Sequence, residues 1–245
     1  MRKIIEPIVW LAGILTLWEI ACQMKWVPGY VAPPPSAVFH RLLTFTALLP
    51  HLYVTLYEVL LGLSLASVVG IGLAVVMAHS EHLQTLFYPL VVFSHMVPQS
   101  ALAPFYVILF GFGPFPKILV TFFITFFPML MNTMSGLTIT EPELLDLVRS
   151  LRATKLQILT KIRLPRSLPF IFSGLKIAGP GSVIGAIVAE FIIGDMGLGY
   201  LVQISVHLVD TTLLFSVITC MAVVGIILFE VPFIAEKILL PWYKR

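Results

Sequence analysis

TEPELLDLVRSLRATKLQILTKIRLP, residues 140–165, is out of keeping with the chain around it. The 245-residue chain is 59% hydrophobic and 11% charged, yet this stretch and its edge gather Arg149, Arg152, Lys155, Lys161, Arg163 and Arg166. Soluble domains average about 45–50% apolar and about 25% charged residues. With a mean hydropathy of +1.02, the chain lacks the polar surface to face water on all sides. The basic stretch is read as a loop outside a bilayer.

A spanning helix takes about 20 mostly apolar residues. Six such stretches are expected, near 7–24, 54–78, 84–111, 117–137, 168–193 and 211–235. The expected fold is all-α and polytopic, a single membrane domain over 1–245 with one large loop at 138–167. Arg2 and Lys3 before an apolar run suit a signal peptide. No small-residue cleavage site follows, however, and Glu19 interrupts the run, so an uncleaved first span is expected. Cys22 and Cys220 lie inside apolar spans and are read as small hydrophobes, with no disulfide or metal role.

Short loops rich in Lys and Arg stay cytoplasmic. With the N-terminus inside, the inner segments hold Arg2, Lys3, the six basic residues of the odd stretch, Lys237, Lys244 and Arg245. The outer segments hold only Lys25, Arg41 and Lys117. Both termini and the 138–167 loop are therefore expected in the cytoplasm, in a multi-pass protein of the cell membrane.

Topology alone explains basic residues, but not the pattern between them. Thr140 and Glu143 fit a capping box with Pro142 in the first turn, and Leu144, Leu147, Val148 and Leu151 recur at helical spacing. Thr154 and Gln157 fit a second box, opening a short helix with Leu156, Leu159 and Ile162 that is expected to stop before Pro165. Two capped amphipathic helices are more than a tether requires. The loop is read as a docking surface.

The stretch DLVRSLRATKLQILTKIRLPRSLPFIFSGLKIA, residues 146–178, resembles the coupling loop of the membrane subunits of ABC importers. That loop usually reads E-A-A-x-x-x-G, followed further on by I-x-L-P. Here Asp146, Leu147 and Val148 stand at the Glu-Ala-Ala positions and Leu164-Pro165 closes the motif. Three further stretches, VAPPPSAVFHRL, VPQSALAPFYVILFGFGPFPKI and GLGYLV, are similar to the nitrate/sulfonate/taurine-type permeases, a group that includes importers of riboflavin and thiamine pyrimidine precursors. The resemblance covers nearly the whole chain. It implies a type I permease subunit that carries out no chemistry itself and needs no cofactor. Its partners would be ATP-binding subunits, an extracytoplasmic solute-binding protein and a second permease copy, with no nucleic acid.

The coupling residues indicated by the stripe and the resemblance are Asp146, Leu147, Val148, Leu151, Arg152, Ala153, Leu156, Leu164 and Pro165. Arg152 replaces the family's turn glycine, a substitution costing about 1 kcal/mol if the turn is left-handed. Glu58 also departs from relatives, which often carry a basic residue there.

Within the spans, Gly62, Ala66, Gly70, Ala74 and Ala78 recur every four residues, as do Gly174, Ala178, Ser182 and Ala186, continuing to Glu190. Small residues let membrane helices approach closely, so these stripes are expected at tight seams. Pro89, Pro98 and Pro104 interrupt the third span, with Gln99 and Ser100 polar beside the break. Irregular backbone at membrane depth is tolerated only inside protein or beside a water-filled cavity. Charges within spans mark pathways by default. The pathway candidates are Glu190, Glu58, Pro98, Gln99 and Ser100, while Lys176 and Glu19 are expected to reach toward the interface.

Other classes are excluded for lack of pattern. His79 and His82 have no further ligands near them for a metal site, and GPGSVIG at 179–185 has no phosphate-loop spacing. The acidic candidates favour a neutral, cationic or aromatic solute, such as a pyrimidine or flavin precursor, over nitrate, sulfonate or taurine. An ATPase-independent secondary transporter leaves the capped loop unexplained, and an intramembrane enzyme has no recognisable catalytic constellation.

Overall fold

The computed structural model describes residues 2–139 and 142–243, and among them there are helices and no strand. In chain order they are α1 (Arg2–Gln23), α2 (Pro35–Thr44), α3 (Leu48–His79), α4 (Glu81–Met96), α5 (Gln99–Phe110) and α6 (Pro114–Thr138). There follow α7 (Pro142–Ser150), α8 (Lys155–Ile158), a π-helical turn (Leu159–Arg163), α9 (Leu164–Ile193), α10 (Leu198–His207) and α11 (Thr211–Leu239).

The bundle is built around α6, which lies between α3 and α9. The small-residue stripes explain why. Gly62, Ala66, Gly70 and Ala74 are buried on α3. A β-carbon on Gly62 would come within 2.6 Å of Thr121 Cγ2 on α6. From the other side, one on Gly185 of α9 would come within 2.9 Å of Thr121 Cα. Thr121 is thus approached from both faces where only glycine leaves room. Without a hydrophobic drive between helices in lipid, such close backbone contact is what holds a membrane bundle together. Gly179 serves the next seam, its Cα facing Leu228 O of α11 so closely that a β-carbon would sit 2.5 Å from that oxygen.

Four helical stretches are each long and apolar enough to cross a bilayer: Leu48–His79, Pro114–Thr138, Lys155–Ile193 and Thr211–Leu239. The α4–α5 pair makes a fifth if counted as one broken span. Among the described residues four or five of the expected six are thus long and apolar enough by themselves. α1 as a whole has 22 residues and rises about 33 Å at about 1.5 Å per residue, a match for a hydrocarbon core of about 30 Å. Its apolar part among the described residues is Val9–Gln23.

The third expected span, 84–111, is not one helix. It turns through 93° between α4 and α5. Pro89 and Pro104 are carried inside their helices, and only Pro98 breaks the backbone. A proline disfavours the α conformation in the residue before it, and Val97 is extended, with φ −73° and ψ 125°.

The stretch before Pro165 differs from expectation in the opposite sense. The short helix does not stop there, because a π turn joins α8 to α9 and the helical path runs from Lys155 to Ile193. Leu164 N–H reaches five residues back to Leu159 O. A widened turn at this point accommodates a proline that has no N–H to contribute.

Arg152 occupies the left-handed region, with φ 59°. Ala153 N–H bonds Val148 O at 3.0 Å, the six-to-one closure of a Schellman turn, with the arginine where glycine is usual. Arg152→Gly is expected to stabilise this turn by about 1 kcal/mol. The change should appear as slower hydrogen exchange at the amides of 144–153, and unchanged or faster exchange would refute it.

Candidate functional site

Two regions carry the candidate residues. The first is the 142–165 loop. Thr154 Oγ1 accepts from Gln157 N–H at 3.3 Å and Gln157 Oε1 accepts from Thr154 N–H at 2.8 Å, completing the second expected capping box. The first box falls on Thr140 and the Glu143 side chain, which lie outside the described residues.

The helices so capped do not bury their whole apolar stripe. Leu147, Leu151 and Leu156 are 57%, 73% and 64% exposed. Val148, Ala153 and Leu164 are half-buried, and Asp146, Arg152 and Pro165 are exposed. Ile158 is buried, and the following Leu159 and Leu164 pack against the core cluster of α3 and α6. Arg163 extends this anchorage, its Nη1 donating to Ala78 O at 3.1 Å at the end of α3. Large apolar side chains left exposed on a capped loop are what a partner surface would cover.

The second region is a buried polar cluster at the opposite end of α3, where α3, α6 and α9 meet the turn before α10. Glu190 is fully buried and its two oxygens have different donors. Thr55 Oγ1 donates to Oε1 at 2.6 Å and Gly199 N–H donates to Oε2 at 2.7 Å. Thr55 in turn accepts from Leu198 N–H at 2.8 Å, and Gly197 N–H donates to His51 Nδ1 at 3.0 Å. Three consecutive amides at the start of α10 are thereby satisfied by side chains, as an uncapped N-terminus requires. Gly197 has φ 117°, and a β-carbon there would collide with the Glu190 carboxylate.

Glu58, also fully buried, pairs with Lys117 Nζ at 2.6 Å. Lys117 is 3% exposed, which corrects its reading as a charge in an outer loop: α6 begins three residues earlier and draws it into the bundle. Its Nζ also lies 4.0 Å from the exposed Asp195. Lys176 does not reach for the interface either. It is buried and ion-paired with Glu236 of α11, because two opposite charges inside a bundle gain more from each other than from lipid-facing exposure. Glu19 accepts from the Ser36 N–H and hydroxyl at 3.0 and 2.8 Å, capping the start of α2.

The remaining pathway candidates lie at the break. Pro98 precedes α5 in an extended conformation. Gln99 Nε2 donates to Ser94 O and Val97 O at 2.9 and 3.2 Å, and its Oε1 accepts from Tyr106 OH at 3.0 Å. Its amide thus takes up carbonyls that the broken helix leaves free. Ser100 is half-buried. Tyr106 and Ala103 pack with Val120 of α6 and Ala189 of α9, so α5 beyond the break is seated against the core of the bundle. Sequence reasoning brought Glu58 and Glu190 forward but missed Thr55, His51 and Lys117. A threonine and a histidine at three and seven residues before Glu58, on its own helix face, were the available signal.

Comparison with known proteins agrees with this architecture. Residues 66–245 match the family described as binding-protein-dependent transport system inner membrane component. The chain is 35% identical to the formylaminopyrimidine transport permease protein ThiX of Halalkalibacterium halodurans, over 98% of this chain and 97% of that one. It is 30% identical to the riboflavin transport system permease protein RibX of Chloroflexus aurantiacus, over 96% and 88%. It is 28% identical to the taurine transport system permease protein TauC of Escherichia coli, over 99% and 91%. These relatives are transport permeases rather than enzymes, and ATP hydrolysis belongs to a separate subunit. The apolar helices, the capped loop and these matches together place the chain in the family of inner-membrane permease subunits of binding-protein-dependent ABC importers.

Proposed function

We propose that the 142–165 loop is the surface on which the ATP-binding subunit docks, and that the solute imported is a pyrimidine- or flavin-type vitamin precursor. The observation that carries the first statement is the exposed leucine stripe Leu147–Leu151–Leu156 on a doubly anchored loop. In this reading the loop and both termini face the cytoplasm, two copies of the chain form the pathway, and 1–245 acts as a single membrane domain. The α4–α5 break at Pro98, Gln99 and Ser100 lines the pathway. Glu58 and Glu190 support its outer wall by holding α6 and α10 in place: Glu190 has a protein donor on each oxygen, and Glu58 is ion-paired to Lys117 through Oε1.

The substrate class is supported by the relatives named for formylaminopyrimidine and riboflavin. The experiment reconstitutes the permease with its ATP-binding subunit in proteoliposomes. The binding protein is then added loaded in turn with formylaminopyrimidine, riboflavin, taurine or nitrate. ATP hydrolysis and uptake should rise with a heteroaromatic ligand. A rise with taurine or nitrate alone would assign anion import by the same machinery. Uptake that continues without the ATP-binding subunit would make the chain a secondary transporter instead.

A further inference from the structure

Between the 142–165 loop and the junction of α3 with α4 lies a cleft of about 580 Å³, within the range of about 300–1,000 Å³ typical of small-ligand sites. Its wall includes Lys155, Arg163, His79, His82, Ser80 and Thr138, and among the described lining residues none is acidic. The guanidinium of Arg163 is only partly used. Nη1 caps Ala78 O, while Nε is buried with no hydrogen-bond partner. That Nε is closed off from the cleft, so a ligand would meet the terminal nitrogens of the Arg163 fork, whose planar geometry matches the oxygens of a phosphate.

Position favours a particular source of that phosphate. The apolar run of α3 ends at His79, so the cleft opens where the bundle leaves the hydrocarbon. Basic pockets between spans at this level suit anionic lipid headgroups. We infer that the cleft binds a phosphate group through Arg163 and Lys155, supplied by an anionic phospholipid, and that the bound phosphate ties the base of the loop to the end of α3. The two cations come from the π turn and the start of α8, and the facing wall from α3 and α4, so occupancy would brace the loop against the spans. The cleft's cations are not part of the exposed leucine stripe, and its test compares lipids with the docked subunit held constant.

The assembled transporter is placed in nanodiscs of phosphatidylcholine alone, with phosphatidylglycerol added, or with inorganic phosphate added at matched ionic strength. Hydrogen exchange is followed at the amides of 155–163. Phosphatidylglycerol should slow exchange there about tenfold, equivalent to about 1.4 kcal/mol, and the doubly substituted Arg163→Gln, Lys155→Gln protein should lose that protection. If the double variant fails to fold, Lys155→Gln alone alters an exposed side chain, keeps the Arg163 cap on α3 and should lose part of the protection. Equal protection by inorganic phosphate in phosphatidylcholine would keep the phosphate site but assign it to a soluble ligand. Protection by neither, or the same protection in the variants as in the unaltered chain, would overturn the inference.

Discussion

Replacing Leu147 and Leu151 together by aspartate is expected to weaken binding of the ATP-binding subunit at least a hundredfold, while the spans remain inserted. Neither side chain is used inside the bundle, since they are 57% and 73% exposed. Burying one large apolar side chain contributes about 1.5–3 kcal/mol, and about 1.4 kcal/mol is a factor of ten in affinity. Losing two such contacts exceeds a hundredfold before the added cost of burying charge. Co-purification of the ATP-binding subunit with the tagged permease measures the effect. A double variant that retains its partner and its stimulated hydrolysis would show that this stripe is not the docking face.

The second large effect is expected from Lys117→Met. This leaves Glu58 fully buried without its counter-charge, and breaking a buried pair by removing one partner costs about 3–5 kcal/mol. The permease should unfold at markedly lower temperature in detergent. Pairing the change with Glu58→Leu should recover most of the loss, because a buried ion pair and a well-packed apolar pair are often close in stability. Full stability of Lys117→Met alone would show that the Glu58 contact carries no structural weight. Failure of the double variant to recover would mean that Lys117 acts through Asp195, its other acidic neighbour at 4.0 Å.

The features legible in the sequence are those decided by near neighbours in the chain. The Thr154–Gln157 box needs only three residues of spacing, and it forms as expected. The every-fourth-residue stripes of Gly62–Ala74 and Gly174–Ala186 need only helical geometry, and their glycines Gly62, Gly70 and Gly174 lie at the seams with α6. The features that escaped depend on what the chain brings from elsewhere. Proline lowers helix continuity at 89, 98, 104 and 165 alike, yet only Pro98 ends a helix. There Gln99 Nε2 satisfies the opened carbonyls of Ser94 and Val97, held by the Tyr106 hydroxyl that donates to its Oε1, whereas at Pro165 a π turn absorbs the missing donor.

Charges show the same limit. Lys117 counts as an outer-loop residue until α6 carries it against Glu58, fifty-nine positions away in the sequence. Glu190 stands on the small-residue stripe, as read from the sequence. Its occupation by Thr55 and Gly199 depends on the turn before α10 folding back across α3. No local pattern encodes that return.

The central claim, that the exposed loop is the cytoplasmic docking face for the ATP-binding subunit, is tested most directly by labelling a cysteine placed at Leu151 with a membrane-impermeant maleimide. The variant is reconstituted into sealed vesicles of both orientations, with and without the ATP-binding subunit. Labelling should occur only where the cytoplasmic face is outward, and should fall at least tenfold when the ATP-binding subunit is bound, as expected for a side chain buried at an interface worth about 1.4 kcal/mol or more. Labelling from the opposite face, or labelling unchanged by the bound subunit, would contradict the account.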